Sequence, residues 1–379
     1  MPPDATSLEE EGVIIEPFRL GSKGKVNWKS LREILGSGPW PSRAVEENIA
    51  DLNAALAANL AGAGGLRELA VKHGPAQVID YMYYLRDYAA SRMRLVLGKI
   101  PDGRYEAEEK LDDSSILKAV IEISKDTCRI DFTGSSGVHP GNMNATYAIV
   151  NSVVIYVLRL LLNEPLPLNE GILEPVRVVL PESLLNPDFN RSHQECPAIV
   201  GGNVEISQRL TDTLLKAFGV IACSQGTMNN LMMGNDSYSY YETICGGCGA
   251  GPGFNGASGV HHHMTNTRIT DPEILEHRYP LRLVEFSIRK KSGGRGAYRG
   301  GNGVIRILEF TSASTVSILS QHRVIRPYGM LGGKPGKRGR QHIIRVDGVR
   351  EKLNGIDGFM ANPGDRLVIK TPGGGGWGK

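Results

Sequence analysis

LRLVEFSIRKKSGGRGAYRGGNGVIRILEF, Leu281 to Phe310, holds two short apolar runs, Leu283–Ile288 and Val304–Phe310, separated by a stretch in which glycine occurs six times. Short runs rich in β-branched and aromatic residues, bounded by glycine, read as strands joined by a turn. The same pattern continues downstream in Val316–Leu319, His342–Val346 and Leu367–Ile369. Residues 281–379 are therefore expected to be β-rich, with the glycine runs 293–303 and 373–376 as turns. The Arg/Gly segment from Ser292 to Gly301 has the look of an RNA-binding tract, but one copy between two strands reads as a turn or bulge. The basic run from Lys334 to Arg340 reads as a solvated loop.

Upstream the period changes. Val45, Ile49, Leu52, Leu56 and Leu60 recur at helical spacing, and a second helix beginning at Pro75 carries Val78, Met82, Leu85, Ala89 and Met93 on one side. Ile116–Ile123 and Cys128–Phe132 predict a hairpin over Lys125-Asp126. An apolar helix over 145–162, interrupted by Asn151, Ser152 and Arg159, suits a buried helix better than a membrane span. A strand over Val176–Leu180 and a helix from about Val204 to Ile221, with Leu210, Leu214, Leu215 and Phe218 on one side, complete the middle. The fold class read from this order is α+β: a mixed α/β core with helices, followed by a β-rich C-terminal region. Three parts are expected: 1–110 with the amphipathic helices, 111–280 as the mixed core, and 281–379.

A chain of 379 residues can bury two or three cores. Its formal charge of +3, from 43 basic and 40 acidic residues, is too balanced to call for nucleic acid. Five scattered cysteines, an odd number, argue against a disulfide framework and for a reducing, cytoplasmic setting. The opening Met1-Pro2-Pro3-Asp4 shows no export signal. No phosphate-binding GxxxxGK[ST], no strand-anchored GxGxxG with a downstream acid and no GxSxG elbow occurs, so the chain's own motifs bind no cofactor.

The chemistry-bearing residues concentrate between Gly246 and Pro280. Cys245 and Cys248 form a CxxC, and His261 and His263 follow after twelve intervening residues, which is the ligand count of a zinc site. The glycines around both cysteines favour a competing reading as small buried residues, and no metal ligand is assigned. His261, His262 and His263 stand close to Asn266, Arg268 and Asp271, a set able to polarise an amide or an anion. On a strand, His261 and His263 would share a face. Asn203, ahead of a predicted helix, reads as its N-cap or as part of an anion site, and Arg209 as a carboxylate clamp or a surface cation. Asn142, Asn144, Asn229 and Asn230 lie near glycines and read first as turn formers. Brought together by folding, they would offer neutral donors to an oxyanion or a cyclic amide.

Several strings resemble the hydantoinase B/5-oxoprolinase family: VHHHMTNTRITDPEILE (Val260–Glu276), Gly249-Ala250-Gly251-Pro252, Gly201-Gly202-Asn203 with Ser207-Gln208-Arg209, Met228-Asn229-Asn230, Arg326-Pro327-Tyr328-Gly329, and Thr371-Pro372 with Gly373–Gly376. The resemblance implies ATP-dependent opening of a cyclic amide, 5-oxoproline to glutamate in the most similar branch. N-methylhydantoinase and acetone or acetophenone carboxylase subunits are alternatives, and a non-catalytic scaffold is an alternative of another class. It further implies a hydantoinase A-type ATPase partner that supplies ATP chemistry in a hetero-oligomer. The family's His/Asp motifs for a divalent metal lie upstream of the stretch matched by Met1, so the chain is expected to begin mid-domain, with metal bound only alongside that upstream part. Its implied catalytic candidates are His261, His263 and Arg268. The substrate-binding candidates are Asn142, Asn144, Asn203, Arg209, Asn229, Asn230 and Asn266.

Overall fold

The structure, a computed structural model, describes residues 2–379, with Met1 outside the described part. A small hairpin, β1 (Gly21–Ser22) with β2 (Lys25–Val26), precedes α1 (Trp28–Leu35), whose first turn is capped by the Asn27 side chain accepting from Ser30 N at 3.3 Å. Helices α2 (Val45–His73) and α3 (Pro75–Leu97) are joined directly at Gly74, whose φ of 86° is open to glycine. Both helices follow the predicted period, yet most of the predicted stripe is not covered. Ile49 is the one buried residue of α2. On α3 only the C-terminal end is buried, at Ala89, Ala90, Met93 and Leu97, while Met82 and Leu85 remain exposed.

The first sheet runs in the order β3 (Gly103–Lys110), β4 (Ile116–Ser124), β5 (Thr127–Asp131), β6 (Val176–Val179), with β5 and β6 parallel. The parallel pair needs a crossover, supplied by α4 (Tyr147–Leu162), whose N-cap Thr146 accepts from Ile149 N. A five-residue π-helical turn, Gly202–Ile206, leads directly into α5 (Ser207–Ala217). Leu117, Ile121 and Ile130 of the sheet, Val153 and Val157 of α4, and Leu210 and Leu214 of α5 close the first core. Helix α5 is enclosed on almost every side, so its polar residues are buried along with its leucines.

The remaining strands are β7 (Asn230–Gly234), β8 (Ser239–Glu242), β9 (Leu281–Ile288), β10 (Val304–Phe310), β11 (Ser314–Leu319), β12 (Arg340–Ile344), β13 (Arg350–Leu353), β14 (Ile356–Ala361) and β15 (Arg366–Lys370), with α6 (Pro272–Arg278) ahead of β9. They build two antiparallel sheets, β14-β11-β7-β8 and β13-β12-β15-β10-β9. The second core joins both sheets: Leu231, Met233, Val316 and Ile318 from one, Leu308, Phe310, Leu367 and Ile369 from the other. Across this core the buried Arg306 of β10 donates twice to Glu242 of β8, at 2.6 and 3.0 Å. No helix among the described residues is long and apolar enough to cross a membrane.

The glycine runs differ from the turns expected of them. Gly373–Gly376 is a buried, extended segment clasped by four others. Gly247 N donates to Pro372 O (3.1 Å), Gly374 N to Gly301 O (2.9 Å), Gly294 N to Gly374 O (2.8 Å), Ala250 N to Gly375 O (3.0 Å), Gly375 N to Cys223 O (2.8 Å) and Gly376 N to Lys334 O (2.9 Å). Backbones approach so closely that a Cβ on Gly375 would overlap the Tyr328 carbonyl, and one on Gly374 the Cys248 carbonyl. Absence of a side chain is what the packing requires here.

Gly375→Ala is therefore expected to destabilise the protein by about 3 kcal/mol, the upper range for overpacking. Gly62→Ala, in an exposed stretch of α2 with open space around the added methyl, is expected to stabilise it by about 1 kcal/mol. Urea unfolding of both variants checks the pair of signs.

Candidate active site

Helix α5 and the π-turn before it place Glu205, Gln208 and Asp212 three and four residues apart, on one side of the rod. All three are fully buried. Asp212 Oδ1 accepts from Ser224 N at 3.0 Å and lies 3.5 Å from His263 Nε2, while the Tyr328 hydroxyl donates to the Asp212 carbonyl at 2.6 Å. Burial pushes the Asp212 carboxyl up, but His263, the Ser224 N–H and Arg209 outweigh it and hold the group at about 2, ionised at neutral pH.

His263 lies in a turn at φ 53°, with Thr265 N closing onto His262 O at 3.2 Å. The histidines are thus not on a strand, and the shared face expected for His261 and His263 is lost because the chain leaves its bridge at Val260 and turns. Both ring nitrogens of His263 are engaged: Nε2 is 3.0 Å from Ser224 Oγ, and Nδ1 is 3.3 Å from the Tyr156 hydroxyl of α4. Ser224 Oγ also accepts from Gly249 N at 3.1 Å. Serine, histidine and aspartate thus meet, but not as a nucleophilic triad. There the carboxylate holds the ring nitrogen opposite the one facing serine, whereas here Ser224 and Asp212 share Nε2.

Around this pair lie polar atoms out of solvent and without a partner: Glu205 Oε2, Gln208 Oε1, Asp212 Oδ2, His261 Nε2, and His262 Nδ1 and Nε2, six of the nine such atoms among the described residues. Gln208 is fixed through its amide nitrogen, which donates to Thr265 Oγ1 (2.7 Å) and His262 O (3.2 Å), leaving its oxygen free. Burial, followed by the neighbouring His263, lowers His262 to about 3, so this ring is neutral, and burial also lowers His261. Each buried polar atom left unmade costs about 1–3 kcal/mol. The six lie on two segments, α5 with its π-turn and the histidine loop.

The other predicted residues divide. Arg209 is no surface cation: fully buried, it donates to Lys110 O (2.8 Å), approaches Glu109 Oε2 (3.5 Å) and contacts the His322 ring, whose Nε2 is also 3.5 Å from Cys223 Sγ. Asn229 and Asn230 come together near Glu205, whose Oε1 accepts from Asn230 Nδ2 (2.7 Å), Thr227 Oγ1 (2.9 Å) and Met228 N (3.1 Å). Arg323 donates to Asn229 Oδ1 at 2.8 Å. Asn142 and Asn144 spend their amide N–H groups on backbone carbonyls, at Pro2 and at His139, Gly141 and Ala198, so they do not join a common donor set. Asn203 is exposed and caps nothing, since the helical rod starts at Gly202 with a π-turn. Asn266 and Arg268 are exposed beside the site, and Asp271 caps α6, accepting from Glu273 N at 2.9 Å.

The cysteines do not complete a zinc site with His261 and His263. Cys245 is part of the second core, and burial pushes the Cys245 and Cys248 thiols up to about 11 and about 12. Among the described residues no cluster of three or more His, Cys, Asp or Glu side chains is disposed to hold a metal ion. Missing from the sequence reading were Glu205, Gln208 and Asp212 as one buried polar face, together with Ser224, His322 and Tyr156. The available signal was a helix carrying Glu, Gln, Arg, Thr and Asp on the sides away from its leucines.

Comparison with known proteins covers the whole chain. The model of the family described as Hydantoinase B/oxoprolinase matches residues 1–379. The chain is 42% identical to 5-oxoprolinase 1 of Arabidopsis thaliana and 40% identical to 5-oxoprolinase of Saccharomyces cerevisiae, in both cases over all of this chain but over 31% and 32% of the relative. It thus spans under a third of the length of these curated relatives. Among solved structures it superposes on the ATP-dependent caprolactamase of Pseudomonas jessenii with a TM-score of 0.85 and 26% identity, covering 100% of this chain and 68% of that one.

The charge state of Glu205 gives a measurable consequence. Burial raises its carboxyl from the ordinary 4.5 to about 8, against the opposing Thr227 hydrogen bond and Arg323. The unfolded chain releases this proton near 4.5 and the folded protein near 8, so the contribution is full below about 4.5 and is lost as pH rises toward 8. Glu205→Gln is expected to flatten the loss of stability between pH 5 and 8 seen for the parent, as chemical unfolding across about that range would report.

Proposed function

We propose, on the premise that this chain belongs to the hydantoinase B/oxoprolinase family, that it is the B-type part of an ATP-dependent cyclic-amide hydrolase that opens 5-oxoproline to glutamate. One observation carries this reading: an ionised, buried Asp212 of α5 beside His263, which lies in the loop that carries the family string Val260–Glu276, with buried polar atoms lacking partners on both segments. The 5-oxoprolinase relatives, matched over all of this chain, support the substrate class.

An unactivated lactam carbonyl is a poor electrophile. In this reading a hydantoinase A-type ATPase partner, in a cytoplasmic hetero-oligomer, uses ATP to phosphorylate the lactam oxygen. Water then adds to the activated carbon. The adduct expels the ring nitrogen, which gains a proton, and a second water cleaves the resulting acyl phosphate to carboxylate and phosphate. The tasks left to this chain are to orient the ring and to hold and return a proton. Gln208 Oε1 and the free nitrogens of His261 and His262 are available to the polar edge of the ring, and the Asp212–His263 pair to the proton. Arg268 and Asn266, both exposed, are the candidates to meet the substrate carboxylate. ATP binding, and the ligation of any divalent metal, fall to residues outside this chain.

Co-expression with the A-type partner, followed by assay of 5-oxoproline-dependent phosphate release and glutamate formation, tests the proposal; absence of both products from a stable complex would refute it. In the active complex His263→Gln is expected to lower turnover about 100-fold or more, within the range for loss of a proton-transfer group. Partner binding, followed by co-purification, should be unchanged.

A further inference from the structure

We propose that Tyr156 is the residue through which the buried Asp212–His263 pair exchanges its proton with the bound cyclic amide, an inference that rests on the function proposed above. The geometry of His263 carries it. Nε2 is taken by Ser224 Oγ at 3.0 Å and Asp212 Oδ1 at 3.5 Å, and Nδ1 by the Tyr156 hydroxyl at 3.3 Å, with the two rings edge-on at 5.8 Å. No nitrogen of His263 is left to meet a substrate directly, so the proton must leave by Ser224 or by Tyr156. Ser224 is fully buried and its oxygen already receives the Gly249 N–H. Tyr156 is only half-buried, on the side of α4 that borders this loop.

The tautomer follows from the charges. An ionised Asp212 next to Nε2 favours the proton on that nitrogen, which leaves Nδ1 as a lone pair accepting the Tyr156 O–H. When water attacks, the phenol oxygen takes the water proton as the Tyr156 proton moves to Nδ1, giving an imidazolium paired with Asp212. When the ring nitrogen departs, the phenol donates its proton to that nitrogen and recovers one from Nδ1. The line returns to its starting state, with one proton taken and one given. The groups facing the phenol are Asp212 from α5, Cys248 from the glycine loop and His263, with His262 edge-on to His263 at 4.7 Å. Burial first, then Cys248 and Asp212, push the phenol up to about 12, against His263, so it keeps its proton at neutral pH.

The test is Tyr156→Phe, which removes one oxygen from a helix position whose ring packing is retained. Two readouts apply, turnover in the complex with the A-type partner and the ¹⁵N spectrum of the His263 ring in the labelled protein. Expected is a fall in kcat of about 10- to 100-fold with KM within about threefold, together with an altered pH profile. The parent is expected to show an Nε2–H tautomer whose Nδ1 resonance moves, in the variant, toward that of a free unprotonated ring nitrogen. Parent-like kcat in Tyr156→Phe, a rise in KM alone, or an Nδ1–H tautomer in the parent would each overturn the proposal. If the parent complex turns over no 5-oxoproline, the substrate reading fails by itself. The nitrogen spectrum then still decides, since an unmoved Nδ1 resonance in the variant removes Tyr156 from the line.

Discussion

The backbone-to-backbone contact of Gly373–Gly376 with the loops at Cys223, Cys248, Gly294, Gly301 and Lys334 is the constraint on which the rest of the molecule depends. It is enforced by distance, because a single methyl at Gly374 or Gly375 would occupy the space of a neighbouring carbonyl. It also ties the C-terminal segment to the candidate site. Gly375 donates to Cys223 O, next to Ser224, and accepts from Ala250, next to Gly249. Ser224 N and Gly249 N in turn fix Asp212 and Ser224 Oγ. The last residues of the chain thereby set the position of a carboxylate on α5 more than 150 residues earlier.

Burial of ionisable groups on α5 is the second theme. Glu205, Arg209 and Asp212 lie within eight residues and are all enclosed, an arrangement that apolar residues of similar volume would replace at little cost to stability. The contrast is the Arg306–Glu242 pair, which is bidentate, joins two sheets and has both carboxylate oxygens partnered, Oε2 by the Tyr240 hydroxyl as well. Around α5 the protonated carboxyl of Glu205 and the carboxylate of Asp212 each keep one oxygen without a partner, and Gln208 does the same. Partly satisfied groups at that density mark chemistry rather than structural support.

The sequence carried the element types well wherever an apolar period was present: α2, α3, α4, β4, β5, β9, β10, β11, β12 and β15 lie where their spacing predicts, while β13 and β14 fall outside the predicted runs. It failed where burial does not follow a period. Strands β7 and β8 are short and rich in Asn, Met, Ser and Tyr; β7 is a strand because β11 pairs with it across more than seventy residues, and β8 because it pairs in turn with β7. The glycine runs look like turns locally, and only the fold reveals that they are a packed layer. Of the site, the His261–His263 loop was legible as a cluster, whereas Asn142, Asn144 and Asn203 drew attention through composition alone. Asp212, Ser224 and Tyr156 gave no local signal, because each is ordinary in its own element and acquires its role from a residue on another.

Amide hydrogen exchange on the complex with the A-type partner, with and without 5-oxoproline and ATP, addresses the site most directly. Slowed exchange confined to residues 205–212, 222–226 and 261–266, with α2 and α3 unchanged, is the result expected if the unpartnered polar atoms of α5 and the histidine loop receive the ring. Unchanged exchange in those three segments while the complex turns substrate over would contradict it and place the binding site elsewhere on the chain or on its partner.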